Sequence, residues 1–245
     1  MIDPTGRFGD YYDQNGKWLR NDGKKDDKVY VELQVPLGLP PITIDLGITH
    51  TQFKTIANIV RQEAGSADPE ENRWIAHTAN NEASATHVSL YDLLQSSFSS
   101  APDDIKANGI APTDSSDRAN AARAGVSTVF AGGPDPTGGA RRWDGTDFLA
   151  WGLHGPYGSH AKFRQFTTID IASDIYNTYE SAQVSRWGHS ITYSGTRYNI
   201  PAAVFTDTAN RTAEGNFHYV TGARRATQGL TATGAKGQTI FWRIN

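Results

Sequence analysis

Residues 51–83 read TQFKTIANIVRQEAGSADPEENRWIAHTANNEA, a segment whose pattern predicts the helical part of the fold. Apolar side chains recur in its first half at three- and four-residue intervals, which is the period of one helix face: Phe53, Ile56, Ile59 and Val60. We therefore predict a helix over Thr51–Ala64 that ends at Gly65. Asp68 is a typical cap for a second helix, which we expect to run to about Ala83.

On either side of these helices the pattern changes. Toward the N-terminus, Asn15-Gly16 and Asp22-Gly23 predict small hairpins, followed by a strand over 28–34 and a proline-punctuated connector over 35–48. Toward the C-terminus, helices are expected at 90–96, 117–131 and 168–183, with a polar loop over 100–116. From Trp187 the period is two, which predicts strands at 190–193, 197–200, 216–220 and 239–244.

The order of strands, helices and strands argues for an α+β fold rather than an alternating α/β fold. We expect three segments along the 245 residues. They are a β-hairpin and connector segment at 1–50, a helical core at 51–186, and a β-rich extension at 187–245 that packs on the core.

Composition excludes several classes of protein. The 23 basic and 26 acidic residues give a formal charge of −3, which offers no general reason to bind nucleic acid. The absence of cysteine excludes disulfides, thiolate catalysis and cysteine-ligated zinc. No long apolar run predicts a membrane-inserted helix, and no signal peptide is recognisable at the N-terminus, so we expect any export to follow a leaderless route.

Glu63 is the foremost ionisable candidate. It lies at the C-terminal end of an apolar helix, where the partial negative charge of the helix disfavours an ionised carboxylate. A glutamic acid that keeps its proton can protonate a glycosidic oxygen, so the position suits a general acid. A solvated glutamate at a helix end is the alternative interpretation.

The segment GGPDPTGGA at 132–140 is the second candidate feature. Two glycine pairs and two prolines predict a rigid, tightly turned loop along which a polymer could approach the backbone closely. The segment lacks the Lys-Ser/Thr of a phosphate-binding loop and follows a helix, so nucleotide binding is not expected. A purely structural connector fits the same composition.

Together these segments resemble the SleB/CwlJ-like cell wall hydrolase family over about residues 51–150. The resemblance is carried by a helix end at 61–65, a second helix with the sequence IAHTANN at 75–81, Phe98-Ser99, and the segment DPTGGA at 135–140. It implies a lysozyme-like fold and cleavage of peptidoglycan glycan strands without a cofactor or metal. It places the catalytic glutamate on Glu63, and we expect substrate contacts from a set of nearby residues: Gln62, Asn80, Thr137, Gly138, Gly139, Trp143 and Asp144.

Two routes of glycan cleavage remain open. A lytic transglycosylase needs only Glu63 as acid and base, whereas a muramidase needs a second carboxylate. The candidates for that second group are Glu71, Glu82, Asp144 and Asp147. Glu71 is better explained as the capping-box partner of Asp68, and Glu82 as a solvated helix residue, so the single-acid route is favoured.

Two other functions fit parts of the sequence. A degenerate lysozyme-like domain would bind peptidoglycan without cutting it. Trp143 and Trp151 are candidates to stack on sugars in a glycan cleft, and core packing is the alternative for each. Alternatively, His154 and His160 could hold zinc with Asp147 or His189, as in a peptidase or amidase that cuts the stem peptide.

The N-terminal segment IDPTGRFGD at 2–10 resembles the junction that precedes toxin domains in RHS-repeat proteins. This resemblance implies a secreted antibacterial effector that a secretion carrier delivers to the periplasm or cell wall of a target bacterium. It also implies an immunity protein as a partner.

Overall fold

The computed structural model describes residues 9–24, 26–36, 39–145, 218–221, 226–237 and 239–244. The chain divides into two compact units, Met1–Pro136 and Thr137–Asn245. Helices and sheets are both present, so the α+β class predicted from the sequence is confirmed. The expected boundary near residue 187 and the strands at 190–200 lie outside the described residues, as does the helix expected at 168–183.

The first unit begins with four strands and continues with five helices. The strands are β1 (Asp10–Asp13), β2 (Trp18–Asn21), β3 (Lys28–Leu33) and β4 (Ile42–Thr49). The helices are α1 (His50–Glu63), α2 (Pro69–Thr86), α3 (Leu90–Gln95), α4 (Asp103–Ala107) and α5 (Asp117–Phe130).

The four strands form one sheet in the order β2-β1-β3-β4. The predicted hairpin at Asn15-Gly16 joins β1 to β2, and the Asp13 carboxylate accepts hydrogen bonds from the backbone N–H groups of Asn15 and Lys17 at 2.9 Å each. Strand β3 lies parallel to β1 and is not paired with β2, so the second predicted hairpin, at Asp22-Gly23, is wrong.

The connector expected over 35–48 is wrong in its second half, because strand β4 occupies residues from Ile42 onward. Its apolar residues alternate with polar ones, and Leu46 is buried at 3% exposure. Pro40 and Pro41 precede the first strand residue, where their missing N–H groups cost the sheet no hydrogen bond. The two prolines therefore lie just before this edge strand and do not prevent the strand from forming.

Helix α1 begins within one residue of its predicted start. Thr49 caps it, and Gln52 completes a capping box with the Thr49 backbone. The buried His50 then ties the helix to the sheet: its Nδ1 lies 3.0 Å from Asp10 Oδ2, and its Nε2 lies 2.7 Å from the Tyr12 hydroxyl. This fixes where α1 starts and therefore where its far end lies.

Helix α2 starts at its predicted cap but differs from the prediction in two respects. Asp68 accepts a hydrogen bond from the Glu70 N–H at 2.9 Å. The predicted capping box is wrong, because the buried Glu71 carboxylate instead accepts from the backbone and hydroxyl of Ser66 at 3.0 and 2.6 Å. The helix also continues to Thr86, three residues beyond its predicted end.

Helices α3 and α5 match their predicted positions within one residue. The segment 100–116, expected to be a loop throughout, contains the short helix α4. Helices α1, α2 and α5 pack against one another around a core of aliphatic side chains. The described residues contain no helix long and apolar enough to cross a membrane.

The described part of the second unit is a sheet in the order β5-β8-β7-β6. Its strands are β5 (Arg142–Gly145), β6 (His218–Thr221), β7 (Ala226–Lys236) and β8 (Thr239–Ile244). The strand predicted at 239–244 is confirmed with its boundaries. The strand predicted at 216–220 is confirmed with a shift of one to two residues.

Candidate functional site

Glu63 is the last residue of α1, and its side chain is half-buried. Ala64 follows in an extended conformation and donates its N–H to the Val60 carbonyl at 2.9 Å. The chain therefore leaves the helix directly after Glu63, so the side chain lies beside the following loop and not on a continuing helix face.

The segment that follows α3 holds the Glu63 carboxylate. Ser99 donates its hydroxyl to Oε1 at 2.6 Å, and the Ala101 N–H donates to the same oxygen at 3.1 Å. Ser99 is only 4% exposed and also accepts the Ala101 N–H at 3.0 Å, so the contact is built into the fold. The more exposed Ser100 hydroxyl lies 3.3 Å from both oxygens.

These contacts give the two carboxylate oxygens of Glu63 different hydrogen-bond environments. A backbone N–H can only donate, so Oε1 acts as an acceptor toward Ala101 whether or not the acid carries a proton. Any proton on the carboxyl group therefore belongs on Oε2. The serine hydroxyls can rotate, so they can adjust to either state of the acid.

Two arginines fix the helix end that carries Glu63. The Arg118 guanidinium donates to the carbonyls of Arg61 and Ala64 at 2.9 and 3.0 Å, which supplies partners for carbonyls that the helix leaves unpaired. Arg61 in turn contacts Asp114 at 3.1 Å. Hydrogen bonds from Ser116, helped by the positive charge of Arg61, hold the pKa of Asp114 below its usual range.

A second pair of distant segments meets at the end of α2. Asn81 donates its side-chain amide to Asp135 at 3.0 Å, across 54 positions of sequence. One turn earlier, the buried His77 lies 3.2 Å from the Thr128 hydroxyl of α5. Burial lowers the pKa of His77, Asp135 opposes this shift, and Arg73 adds to it. The second helix motif and the start of the glycine-rich loop are therefore in contact.

The predicted substrate residues next to these contacts differ in exposure. Gln62 is exposed beside Glu63, and Asn80 is half-buried on α2 next to Asn81. Both side chains reach solvent.

The remaining predicted contacts belong to the second unit, which begins at Thr137. Thr137 is fully buried, and its hydroxyl accepts the Ala140 N–H at 3.1 Å, so it closes the turn of its own loop. Gly138 and Gly139 have φ angles of +65° and +80°, a left-handed conformation that favours glycine. The tightly turned loop predicted from these glycines is confirmed.

Trp143 and Asp144 both lie on β5, opposite Phe241 and Ile240 of β8. Trp143 is half-buried, whereas Asp144 is 3% exposed and is not a surface charge. Trp143 and Gly138 are therefore accessible to solvent, whereas the side chains of Thr137 and Asp144 are buried.

The candidates for a second carboxylate are mostly buried. Glu71 is 0% exposed, and Glu82, expected to be solvated, is 5% exposed. Helix α2 buries Glu82 because this position follows the apolar face of Ile75 and Ala79. Asp147, Trp151, His154, His160 and His189 lie outside the described residues. Within the described part of the chain, no three acidic or histidine side chains are grouped as a metal site.

Some residues around Glu63 have no signal of their own in the sequence. Ser100 and Ala101 reach this acid only through the tertiary fold, from 37 and 38 positions away, and Arg118 reaches the backbone on either side of it. In the sequence, only the Phe98-Ser99 motif indicated that the segment after α3 belongs to the site. Comparison with known proteins gives no match to any protein-family model, curated protein or solved structure.

Proposed function

We propose that this protein cleaves the glycan strands of peptidoglycan, with Glu63 as the general acid and base. The observation that carries the proposal is the 2.6 Å hydrogen bond between the Ser99 hydroxyl and the Glu63 carboxylate. It joins two of the motifs on which the cell wall hydrolase resemblance rests. The Asn81–Asp135 contact joins two more.

The chemistry follows from the two unequal oxygens. With Oε1 held by the Ala101 N–H, Oε2 carries the proton and donates it to the oxygen that bridges N-acetylmuramic acid and N-acetylglucosamine. The bond from C1 of the muramic acid to that oxygen breaks. The Glu63 carboxylate then takes the proton of the C6 hydroxyl while O6 bonds to C1, which closes a 1,6-anhydro ring and restores the acid.

The transglycosylase route is the better supported of the two. A muramidase needs a second carboxylate within reach of the sugar or its water. Among the described residues the candidates Glu71, Glu82 and Asp144 are buried, so none of them exposes an oxygen for that purpose, and Asp147 lies outside the described residues. Mass spectrometry of the released fragments separates the routes, since transglycosylation yields anhydro-muropeptides and hydrolysis yields reducing ends.

The Glu63→Gln variant tests the proposal. Glutamine keeps the shape and an oxygen acceptor but carries no transferable proton, so lysis of purified cell walls should fall by about 100-fold or more. Glu32→Gln, on the face of the N-terminal sheet where Glu32 pairs with Arg20, is the matched control and should lyse normally. Full lysis by a folded Glu63→Gln protein would overturn the proposal.

A non-catalytic peptidoglycan-binding domain is the second candidate, because the contacts to Glu63 would equally suit a structural anchor. That protein would sediment with insoluble peptidoglycan and release no fragments. A zinc peptidase is the third candidate, and it depends on His154, His160 and His189, which lie outside the described residues. Its activity would disappear with a chelator, whereas the Glu63 mechanism is indifferent to one.

We further propose that the protein acts as a delivered antibacterial effector in the periplasm or cell wall of a target bacterium. The support is the sequence IDPTGRFGD at 2–10, most of which lies outside the described residues. The proposal expects a secretion carrier and an immunity protein that blocks lysis. Co-expression of a small neighbouring open reading frame should protect a host that is otherwise lysed in its periplasm.

A further inference from the structure

The first unit contains a surface cavity of about 630 Å³ whose lining does not include Glu63. It lies between the β1–β2 turn, the first turns of α2, and α5. This volume falls in the range of ordinary ligand sites, about 300–1,000 Å³. The proposed cleavage by Glu63 therefore does not account for this cavity.

Two glycines fix the walls of this cavity. Gly16 presses the β1–β2 turn onto α5 so closely that a Cβ there would lie 2.1 Å from the Asn120 carbonyl oxygen. At the other end, a Cβ on Gly125 would lie 2.9 Å from the backbone of Asn72 and Arg73. Only glycine permits either approach, so the space between turn and helices is set by backbone packing.

The walls carry charges of both signs. Lys17 comes from the turn, as does Asp13, whose carboxylate also accepts the backbone N–H groups of Asn15 and Lys17. Glu70 and Arg73 come from α2, where they pair with each other at 3.4 Å, and Asp117 lies on α5. A purely anionic ligand would face three carboxylates, and a purely cationic one would face two cations. A ligand with both kinds of group finds an opposite charge for each.

Two further features restrict the chemical class of the ligand. Small residues line the cavity along α5, namely Ala121, Ala124 and Gly125, and they leave room for methyl-sized side chains. No aromatic side chain is among its described lining residues, so it lacks the ring on which a sugar would stack. The Arg73 side chain is 30% exposed at this wall, and its Nη1 lies 3.4 Å from the Glu70 carboxylate, so the guanidinium presents donors that a ligand carboxylate can meet.

We propose that this cavity binds a short peptide that carries both carboxylate and ammonium groups. Its identification as the stem peptide of peptidoglycan, which combines alanines with glutamate and a diamino acid, rests on the proposed function. Lys17 and Arg73 bind the peptide carboxylates, and Glu70 and Asp117 bind the ammonium group. The protein thereby prefers glycan strands that still carry their peptides.

Binding of the free stem tetrapeptide (alanine, glutamate, diaminopimelate, alanine) tests the site by calorimetry at low salt. Lys17→Gln and Arg73→Gln should each weaken binding by about tenfold, the usual effect of losing a charged hydrogen bond. Lys24→Gln and Arg20→Gln make the same changes on exposed side chains outside the cavity and should leave binding unchanged. The tetrapeptide acetylated at the side-chain amine of diaminopimelate should bind more weakly, and chitotetraose should not compete.

Lysis assays separate this inference from the catalytic one. Wild-type protein should cleave peptide-bearing glycan faster than glycan stripped by an amidase, and Arg73→Gln should remove that preference. If Glu63→Gln abolishes lysis but the Lys17 and Arg73 variants bind and cleave as wild type does, the peptide site is refuted and the catalytic proposal stands. If the tetrapeptide binds through Lys17 and Arg73 while no wall is cleaved, the cavity proposal stands and glycan cleavage fails.

Discussion

Two neighbouring serines contact Glu63, and they differ in burial and in distance. Ser99 is buried and donates at 2.6 Å, while Ser100 is exposed and lies 3.3 Å from each carboxylate oxygen. A buried, short hydrogen bond to a carboxylate contributes more than an exposed, long one, because water replaces the exposed partner when it is removed. Ser99 therefore decides the orientation of the acid.

Ser99→Ala and Ser100→Ala form a matched pair that tests this difference. Ser99→Ala should lower wall lysis by about tenfold and the free energy of unfolding by about 1 kcal/mol, because Oε1 and the Ala101 N–H both lose a partner. Ser100→Ala should change each quantity little. Equal effects of the two substitutions on lysis, measured as initial rates at equal protein concentration, would contradict the assigned role of Ser99.

Helix α2 connects the candidate site to the rest of the first unit. Its N-terminal turns line the cavity and pack on α5 through the close approach at Gly125. Its C-terminal half carries Asn80 and Asn81. The buried His77 lies at the middle of α2 and contacts Thr128 of α5, so the protonation of one imidazole bears on how the two helices pack.

The stability of the α2–α5 contact should depend on pH. Burial lowers the pKa of His77 below 6.5, so the unfolded chain binds this proton more readily than the folded one. The free energy of unfolding should therefore fall as pH drops below about 6.5, well above the range in which the carboxylates titrate. Urea denaturation at a series of pH values measures this slope.

His77→Asn should reduce that slope, because asparagine does not titrate. His87→Asn is the control: His87 is exposed at the end of α2 with φ of +57°, a conformation that asparagine tolerates. Its slope should equal that of the wild type. An unchanged slope in His77→Asn would show that other groups carry the pH dependence.

The first unit as a whole is held together by a buried arginine. Arg123 of α5 is fully buried and donates to carbonyls of Gly16, Ala111 and Asp114 and to the Asn120 side chain, at 2.6 to 3.2 Å. These acceptors belong to the β1–β2 turn, the loop before α5, and α5 itself. One side chain therefore joins parts of the chain that are more than 100 residues apart.

Arg123→Met should destabilise the protein by about 3 kcal/mol or more, because several buried acceptors lose their donor together. The melting temperature should fall by about 10 °C. Arg20→Met, at an exposed side chain that pairs with Glu32, should cost less than about 0.5 kcal/mol. Similar melting temperatures for Arg123→Met and the wild type would contradict this role.

The helices illustrate what local patterns predict well. Helices α1, α3 and α5 begin and end within about one residue of their predicted positions, since apolar periodicity, caps and terminal glycines act within a few residues. Strand β4 and the burial of Glu82 were missed for the opposite reason. Whether an alternating segment pairs or a polar residue is covered depends on distant parts of the chain.

The candidate site also has some features that local sequence predicts and others that depend on distant parts of the chain. Local sequence patterns suffice to predict the α+β class, the helix that ends at Glu63 and the tight glycine turn, because each depends on neighbouring residues. Long-range packing, in contrast, sets which oxygen of Glu63 is held, the contact between Asn81 and Asp135, and the cavity of mixed charge beside α5. Those contacts join residues 38 to more than 50 positions apart, and long-range packing sets such distances.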